Sequence, residues 1–321
     1  RTQNTSWYNE ALNTATRGAR KEFPCVAVIV AETTQVTIYD GDDPDMPMWM
    51  VFNVGSYYYL PPNRNMTCVS ALNGYVMAGF DQSVAGLLLV DFVSENSRVY
   101  SSASSEYRDW AKPVSERNTG GASTAISNSA YAIVNDQVND VVMTVLPNAP
   151  IDSATGLPVP TIAVATDAGV SVIKDDGTVV DITASTTDPV YTVGFLGDKL
   201  MFQGGYADYS PWVIKIPSSD VTGWSRTSQP PNTLEEYSST GSNAPSGANV
   251  RYLGVSGQTN NPALIYKDTR VLSSDSGLGI VEVNNTNTAK SAIAHITSDY
   301  NTGYQVGDIK LATLSDPDDT N

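Results

Sequence analysis

The stretch Val164–Gly205, VATDAGVSVIKDDGTVVDITASTTDPVYTVGFLGDKLMFQGG, decides how the rest of the chain is read. Short runs rich in Val, Ile and Thr are broken by Asp-Gly and Gly-Asp pairs, the pattern of strands joined by two-residue turns. It holds no cluster of catalytic residue types. Two kinds of segment recur outward from it. The first, strand, tight turn and strand, is Thr161 to Thr183, with looser copies at Val26 to Asp43 and Pro262 to Val283. In the last copy Pro262 and Asp268 stand where Pro160 and Asp167 stand. The second kind is TVGFLGDKLMFQGG followed after a loop by WVIKI (Thr192 to Ile216). Its partner is CVSALNGYVMAGF followed by GLLLVDF (Cys68 to Phe92), with Leu72-Asn73-Gly74-Tyr75 aligned on Leu196-Gly197-Asp198-Lys199.

With DVVMTVL (Asp140 to Leu146) and VRYLGV (Val250 to Val255) added upstream, the chain parses into units near 24–60, 66–101, 138–183, 190–226 and 250–297. Repeats of roughly 40 to 50 residues with about four strands each are the signature of propeller blades. The expected fold is therefore all-β, a β-propeller of about five four-stranded blades, six or seven if the polar inserts hide strands. A β-sandwich or β-solenoid also gives short strands at regular spacing and is the competing reading. The expected layout is an N-terminal arm (1–23), a propeller domain (24–314) and a C-terminal linker or truncated end (315–321). The chain begins with Arg, which fits a piece of a longer polypeptide.

With 34 acidic residues against 18 basic ones, the net charge is −16. That balance disfavours nucleic acid and anionic membrane surfaces, both of which call for clustered Lys and Arg. No run approaches the roughly 18 apolar residues of a membrane span, so no membrane insertion is expected. Cys25 and Cys68, each just before a strand-like run, allow either one bridge or two free thiols. Two cysteines and a single histidine exclude a Cys-rich or His-rich zinc site.

No catalytic constellation is legible. His295 is the only imidazole, it has no nucleophile elbow to serve, and it reads as a packing or surface residue. SSDSGLGI (Ser273 to Ile280) partly matches an Asp box through Ser273, Asp275 and Gly277, which would be a turn between blade strands. DGDDPD gathers Asp40, Asp42, Asp43 and Asp45, oxygen donors of the kind Ca²⁺ takes, though without EF-hand spacing. The competing reading is a solvated turn. Aromatics in or beside loops, Tyr57, Tyr58, Trp110, Tyr206, Tyr209, Trp212 and Trp224, are the candidates for an exposed ligand-binding surface, since such rings stack on sugar faces and anchor interfaces. Rings that plug gaps between blades would look the same.

At IAVATDAGVSVIKDDGTVVDIT and GFLGDKLMFQGG, and again at GDDPDMPMWMVFN and ITSDYNTGYQVGDIKLATLSD, the chain resembles a family of structural proteins of marine phages. It is similar to the propeller-like regions of tail-associated or tail-fibre polypeptides that precede lectin-like, concanavalin-A-type modules. The resemblance implies a non-enzymatic virion protein at or near the tail, acting outside the host cell in host-surface attachment or carrying adhesion modules. The implied partners are other tail proteins, a host surface glycan or receptor, and further copies of the chain in the assembled particle. It brings no functional residues. A polysaccharide-degrading glycosidase or lyase on the same scaffold is the alternative, and a bacterial cell-surface or sheath protein a weaker one.

Overall fold

The computed structural model describes residues 2–56, 58–61, 65–81, 86–102, 108–110, 112–120, 125–127, 129–153, 156–184, 189–204, 211–224 and 233–236. Beyond these it describes 250–252, 264–266, 269–274, 277–282, 292–296 and 314–315, as strand backbone. The strands fall into five antiparallel sheets. The first runs β1 (Ala27–Ala31), β2 (Gln35–Asp40), β3 (Met48–Asn53). The second runs in sequence order through β4 (Met66–Leu72), β5 (Tyr75–Phe80), β6 (Leu87–Asp91), β7 (Asn96–Tyr100), β8 (Arg108–Trp110) and β9 (Ala125–Ser127). The third holds β10 (Val138–Thr144), β11 (Thr161–Thr166), β12 (Gly169–Ile173) and β13 (Val179–Ala184). The fourth holds β14 (Val190–Leu196), β15 (Lys199–Gly204) and β16 (Pro211–Lys215); β17 (Val221–Trp224) then joins the third sheet after β13, and β18 (Thr233–Glu236) completes the fourth. In the fifth, β19 (Val250–Tyr252) pairs β21 (Thr269–Ser274), which also takes β20 (Leu264–Tyr266), and β22 (Gly277–Glu282), β23 (Ala292–Ile296) and β24 (Leu314–Ser315) follow in order.

Among the described residues, five antiparallel sheets thus stand where the repeats place five units, and the first and second run as up-and-down meanders of the kind that forms a propeller blade. The chain is all-β and of the β-propeller class. It separates into two compact units, Arg1–Thr183 with Ser218–Val221, and Ala184–Pro217 with Thr222–Asn321.

The first unit shows why its strands are apolar on both faces. Val76, Ala78, Phe80, Leu88, Val90 and Val99 face one way from the second sheet into a core shared with Val36, Ile38, Met50 and Phe52 of the first. Met77, Leu87, Leu89 and Tyr100 face the other way, into a core with Val138, Val141, Ile162, Val164 and Ile173 of the third. A sheet packed on both sides needs near-continuous hydrophobic strands, hence GLLLVDF and TIAVAT. β6 and β11 are buried at every residue. Tight turns hold the register: Leu72 pairs Tyr75 across Asn73 and Gly74, both at positive φ (51° and 87°), and Leu196 pairs Lys199 across Gly197 (φ 61°).

The 1–23 segment is built into this unit. Thr16 O accepts from Val51 N (3.0 Å) and Gly18 N donates to Trp49 O (2.9 Å), so residues 16–18 lie against β3 through a single antiparallel bridge, Arg17 opposite Met50. Trp7 is 1% exposed, meets Trp49 and Phe92 edge-on and donates from its indole nitrogen to Phe92 O at 2.7 Å. Periodicity did not reveal this because the contribution is three backbone residues and isolated side chains, not an alternating run.

In the second unit Phe202 on β15 lies opposite Trp212 on β16, and Trp224 closes on both rings with centroids 5.4 to 5.8 Å apart. Cys25 and Cys68 are both free. Burial pushes the Cys68 thiol up to about 12, so it stays protonated and inert at neutral pH.

Candidate cavity between the second and third sheets

At one end of the interface between the second and third sheets, packing gives way to a cavity of about 450 Å³, open to solvent on one side. The register puts Tyr75 (β5), Leu89 (β6), and Arg98 and Tyr100 (β7) on the same face of the second sheet. Tyr131, from a short 3₁₀ turn (Ser129–Tyr131), stands against Tyr100 at 5.1 Å between centroids, with the Arg98 guanidinium 5.7 Å over its ring. The third sheet supplies Pro160, Ile162 and Ile173 and the turn Lys174–Gly177. Three phenol rings, two cations and two carboxylates (Asp175 and Asp176) thus converge on an otherwise apolar floor. The volume falls within the ~300–1,000 Å³ of small-molecule sites, which pair an apolar lining with a few placed polar groups.

Hydrogen bonding and burial set the charge state of two of these groups. Asp176 accepts from Thr178 Oγ1 (2.6 Å) and Thr178 N (2.9 Å), and these bonds hold its carboxyl below the usual range. It therefore stays ionised and serves as an acceptor. Burial, chiefly, raises the Tyr75 phenol, which stays protonated and able to donate. The rim is braced from outside: Lys174 Nζ donates to Ser218 O (3.3 Å), and Asp181 N donates to Asp220 Oδ1 (3.0 Å), tying the 218–221 segment to the third sheet.

Asp181 itself accepts from Ser171 Oγ (2.6 Å), whose oxygen accepts from Val134 N (2.9 Å). Burial, reinforced by Asp220, pushes its carboxyl up to about 6 against the pull of the Ser171 bond. Because the folded value lies above the unfolded one, this group's contribution to stability is complete below about pH 4 and fades as pH rises through about 6. At ~1.4 kcal/mol per unit, the ceiling is about 3 kcal/mol. Asp181→Asn is expected to flatten the dependence between these pH values in urea unfolding; an unchanged pH profile would refute it.

None of the cavity side chains was among the sequence candidates. Trp212 and Trp224 are corrected from exposed ligand contacts to core: they are 3% and 0% exposed. The reason is the cross-strand pairing of Trp212 with Phe202, which a one-dimensional reading of GGYADYSPW places in a loop. Tyr58 is half-buried, away from the cavity, with its ring over Gly55. Trp110 lies on β8, paired with Ser97 and Ala125, and its side chain is outside the described residues. Tyr57, Tyr206, Tyr209 and the Asp275 turn also lie outside them; His295 is on β23, its backbone opposite Gly279.

The aspartate loop is corrected from a Ca²⁺ site to a clasp on the N-terminal segment. Arg20 Nη1 donates to Asp40 Oδ1 (2.8 Å) and Asp42 Oδ2 (2.7 Å), while Cys25 N and Val26 N donate to Asp42 at 2.8 and 2.9 Å. Those bonds, the Cys25 amide first and then Arg20, hold the Asp42 carboxyl below its ordinary range. Asp43 Oδ1 accepts from Asp45 N. The Asp40, Asp42 and Asp43 carboxylates are thus turned to internal donors. Among the described residues, no three His, Cys, Asp or Glu side chains gather to hold a metal ion. Excess calcium, or its chelation, is expected to leave the melting temperature unchanged; a calcium-dependent rise lost in Asp42→Asn would overturn the clasp.

No family model matches the chain, and no curated protein does. Among solved structures, it is similar to BBS1N from the crystal structure in complex with ARL6DN. That match has 13% identity and a TM-score of 0.36, over 84% of this chain and 71% of that one. It is also similar to Kluyveromyces lactis Hsv2p, at 8% identity and a TM-score of 0.37 over 85% and 81%. Human WBSCR16 follows at 10% and 0.35, over 76% and 54%. Likeness at this level carries no argument about function. Among the described residues, no helix is long and apolar enough to cross a membrane.

Proposed function

We propose that the chain is a non-enzymatic structural protein of a phage virion, at or near the tail, which takes part in host-surface attachment by holding a glycan in the cavity between its second and third sheets. The observation that carries the binding part is the meeting of Tyr75, Tyr100 and Tyr131 with Arg98, Lys174, Asp175 and Asp176 at one opening. Aromatic faces, charged donors and ionised acceptors together suit a ligand that is apolar on its ring faces and hydroxylated at its edges. The virion and tail placement, the tail-protein partners and the assembly with further copies rest on the resemblance of the repeat segments.

A glycosidase reading needs a carboxyl kept protonated to act as acid. In the cavity, Asp176 is held ionised instead. The acid with a raised value, Asp181, is outside the cavity lining. Immunogold labelling of purified particles, with competition of adsorption by the isolated chain, tests the proposal. Tail labelling and inhibited adsorption are expected. Absence from particles would end the attachment reading, and release of reducing ends or unsaturated sugars from host polysaccharide would replace it with the enzymatic one.

A further inference from the structure

Beside the main cavity lies a second of about 90 Å³, lined by Asn73, Tyr75, Asp91, Ser94, Asp152 and Val159 among others. Tyr75 and Val159 line both cavities. They therefore form the partition where the two cavities adjoin. The partition is well supported: Asn73 Nδ2 donates to Pro158 O at 2.8 Å, stitching the turn before β5 to the chain entering β11. The floor of the smaller half is also set. Asp91 accepts from the backbone nitrogens of Val93 (2.9 Å) and Ser94 (3.1 Å) and from Ser94 Oγ, which holds its carboxylate in one orientation.

The two halves differ in what they admit. The larger accommodates a whole sugar ring. The smaller has room for about three waters at roughly 30 Å³ each, less than a ring but enough for a hydroxymethyl or a pair of hydroxyls. Its lining offers two carboxylates, a hydroxyl and an amide, all suited to hydroxyl groups. Those carboxylates, on a chain of net charge −16, oppose an anionic ligand there, and in the larger half Arg98 and Lys174 are matched by Asp175 and Asp176.

We infer that the two cavities form one binding track for an uncharged oligosaccharide of at least two units. One ring lies among the tyrosines of the larger cavity, the linkage crosses Tyr75, and the polar edge of the next unit enters the smaller cavity. This deepens the glycan-binding reading and rests on it.

Isothermal titration and saturation-transfer NMR of the full chain, with a panel of neutral monosaccharides, their disaccharides and the matching uronates, test the track. At least one neutral disaccharide is expected to bind roughly ten-fold more tightly than its monosaccharide, equal to ~1.4 kcal/mol from the second unit. Tyr75→Ala should weaken both ligands, the disaccharide by about ten-fold more, so that the difference is lost. Tyr75→Phe should keep it, and Tyr131→Ala should weaken both ligands together; urea midpoints confirm that each variant is folded. Equal affinity for one and two units, a Tyr75→Ala variant that keeps the difference, or uronates binding more tightly than neutral sugars would overturn the inference. No binding by any neutral sugar would overturn both it and the glycan reading. A disaccharide that binds as expected yet leaves phage adsorption untouched would remove only the attachment role.

Discussion

Gly169→Ala is expected to destabilise the first unit by about 3 to 5 kcal/mol, read as a fall in the urea midpoint at unchanged slope. Gly169 opens β12 at a φ of +140°, a backbone region essentially closed to L side chains. An added Cβ would sit 2.1 Å from Ile182 O on the paired strand β13. The backbone cost of ~1–3 kcal/mol and the overpacking cost of similar size therefore act together. Moving β13 away would relieve the clash, but Gly169 to Ile173 pair with Thr183 to Val179 along the whole strand, and Val170, Val172, Val180 and Ile182 are buried. Gly177 is the control. It also has positive φ (+84°), but its added Cβ would meet nothing within 4 Å, so Gly177→Ala should cost only ~1–2 kcal/mol. Equal effects at the two positions would show that the Ile182 contact is not the cause.

Glu10→Gln is expected to cost about 3 kcal/mol, the scale for stranding a buried charge. Two arginines are almost fully enclosed, Arg17 at 0% and Arg117 at 1%. Arg117 donates to Val51 O (2.7 Å), Val114 O (3.1 Å) and Thr16 O (2.8 Å), and Arg17 to Trp49 O (3.0 Å) and Lys21 O (2.9 Å). Glu10 answers their charge: its Oε2 lies 2.8 Å from Arg117 Nη1 and 3.8 Å from Arg17 Nε. Burial lowers the Arg17 value, Glu10 opposes that and Arg117 adds to it, so removing the carboxylate leaves like charges facing each other out of water. The double variant Glu10→Gln with Arg117→Met should lose less than the sum of the single ones, since it removes the unpaired cation too. A Glu10→Gln midpoint within ~0.5 kcal/mol of the parent would show that the backbone carbonyls alone suffice.

Both predictions concern residues whose surroundings no local pattern reveals. A strand, tight turn and strand over Thr161 to Thr183 was legible, but the closeness of the Ile182 carbonyl to Gly169 was not. Arg17, Glu10 and Trp7 looked like parts of a polar lead-in because their partners, Trp49, Arg117 and Phe92, come from β3 and beyond. The cavity was hidden for the same reason. Tyr75 falls just after a turn, Arg98 and Tyr100 lie within an ordinary alternating strand, and Tyr131 comes from an insert; only the stacking of the second and third sheets brings them together. The loop aromatics misled in the opposite direction, since a Trp beside a Pro and a Gly reads as surface until Phe202 is found across the ladder.

The residue pattern alone determined the all-β class, the repeating units of short strands and the hairpin turns. These follow from local rules: β-branched alternation, positive-φ turn residues, and strands apolar enough to be covered on both faces. Tertiary structure decided the rest. It bridged the N-terminal segment to β3, turned the aspartate loop onto Arg20, buried Trp212 and Trp224, and opened a tyrosine-lined cavity beside Lys174–Gly177. Each of those outcomes is a juxtaposition of residues far apart in the chain, set by which faces of neighbouring sheets meet, and a face has no chemistry until its partner is in place.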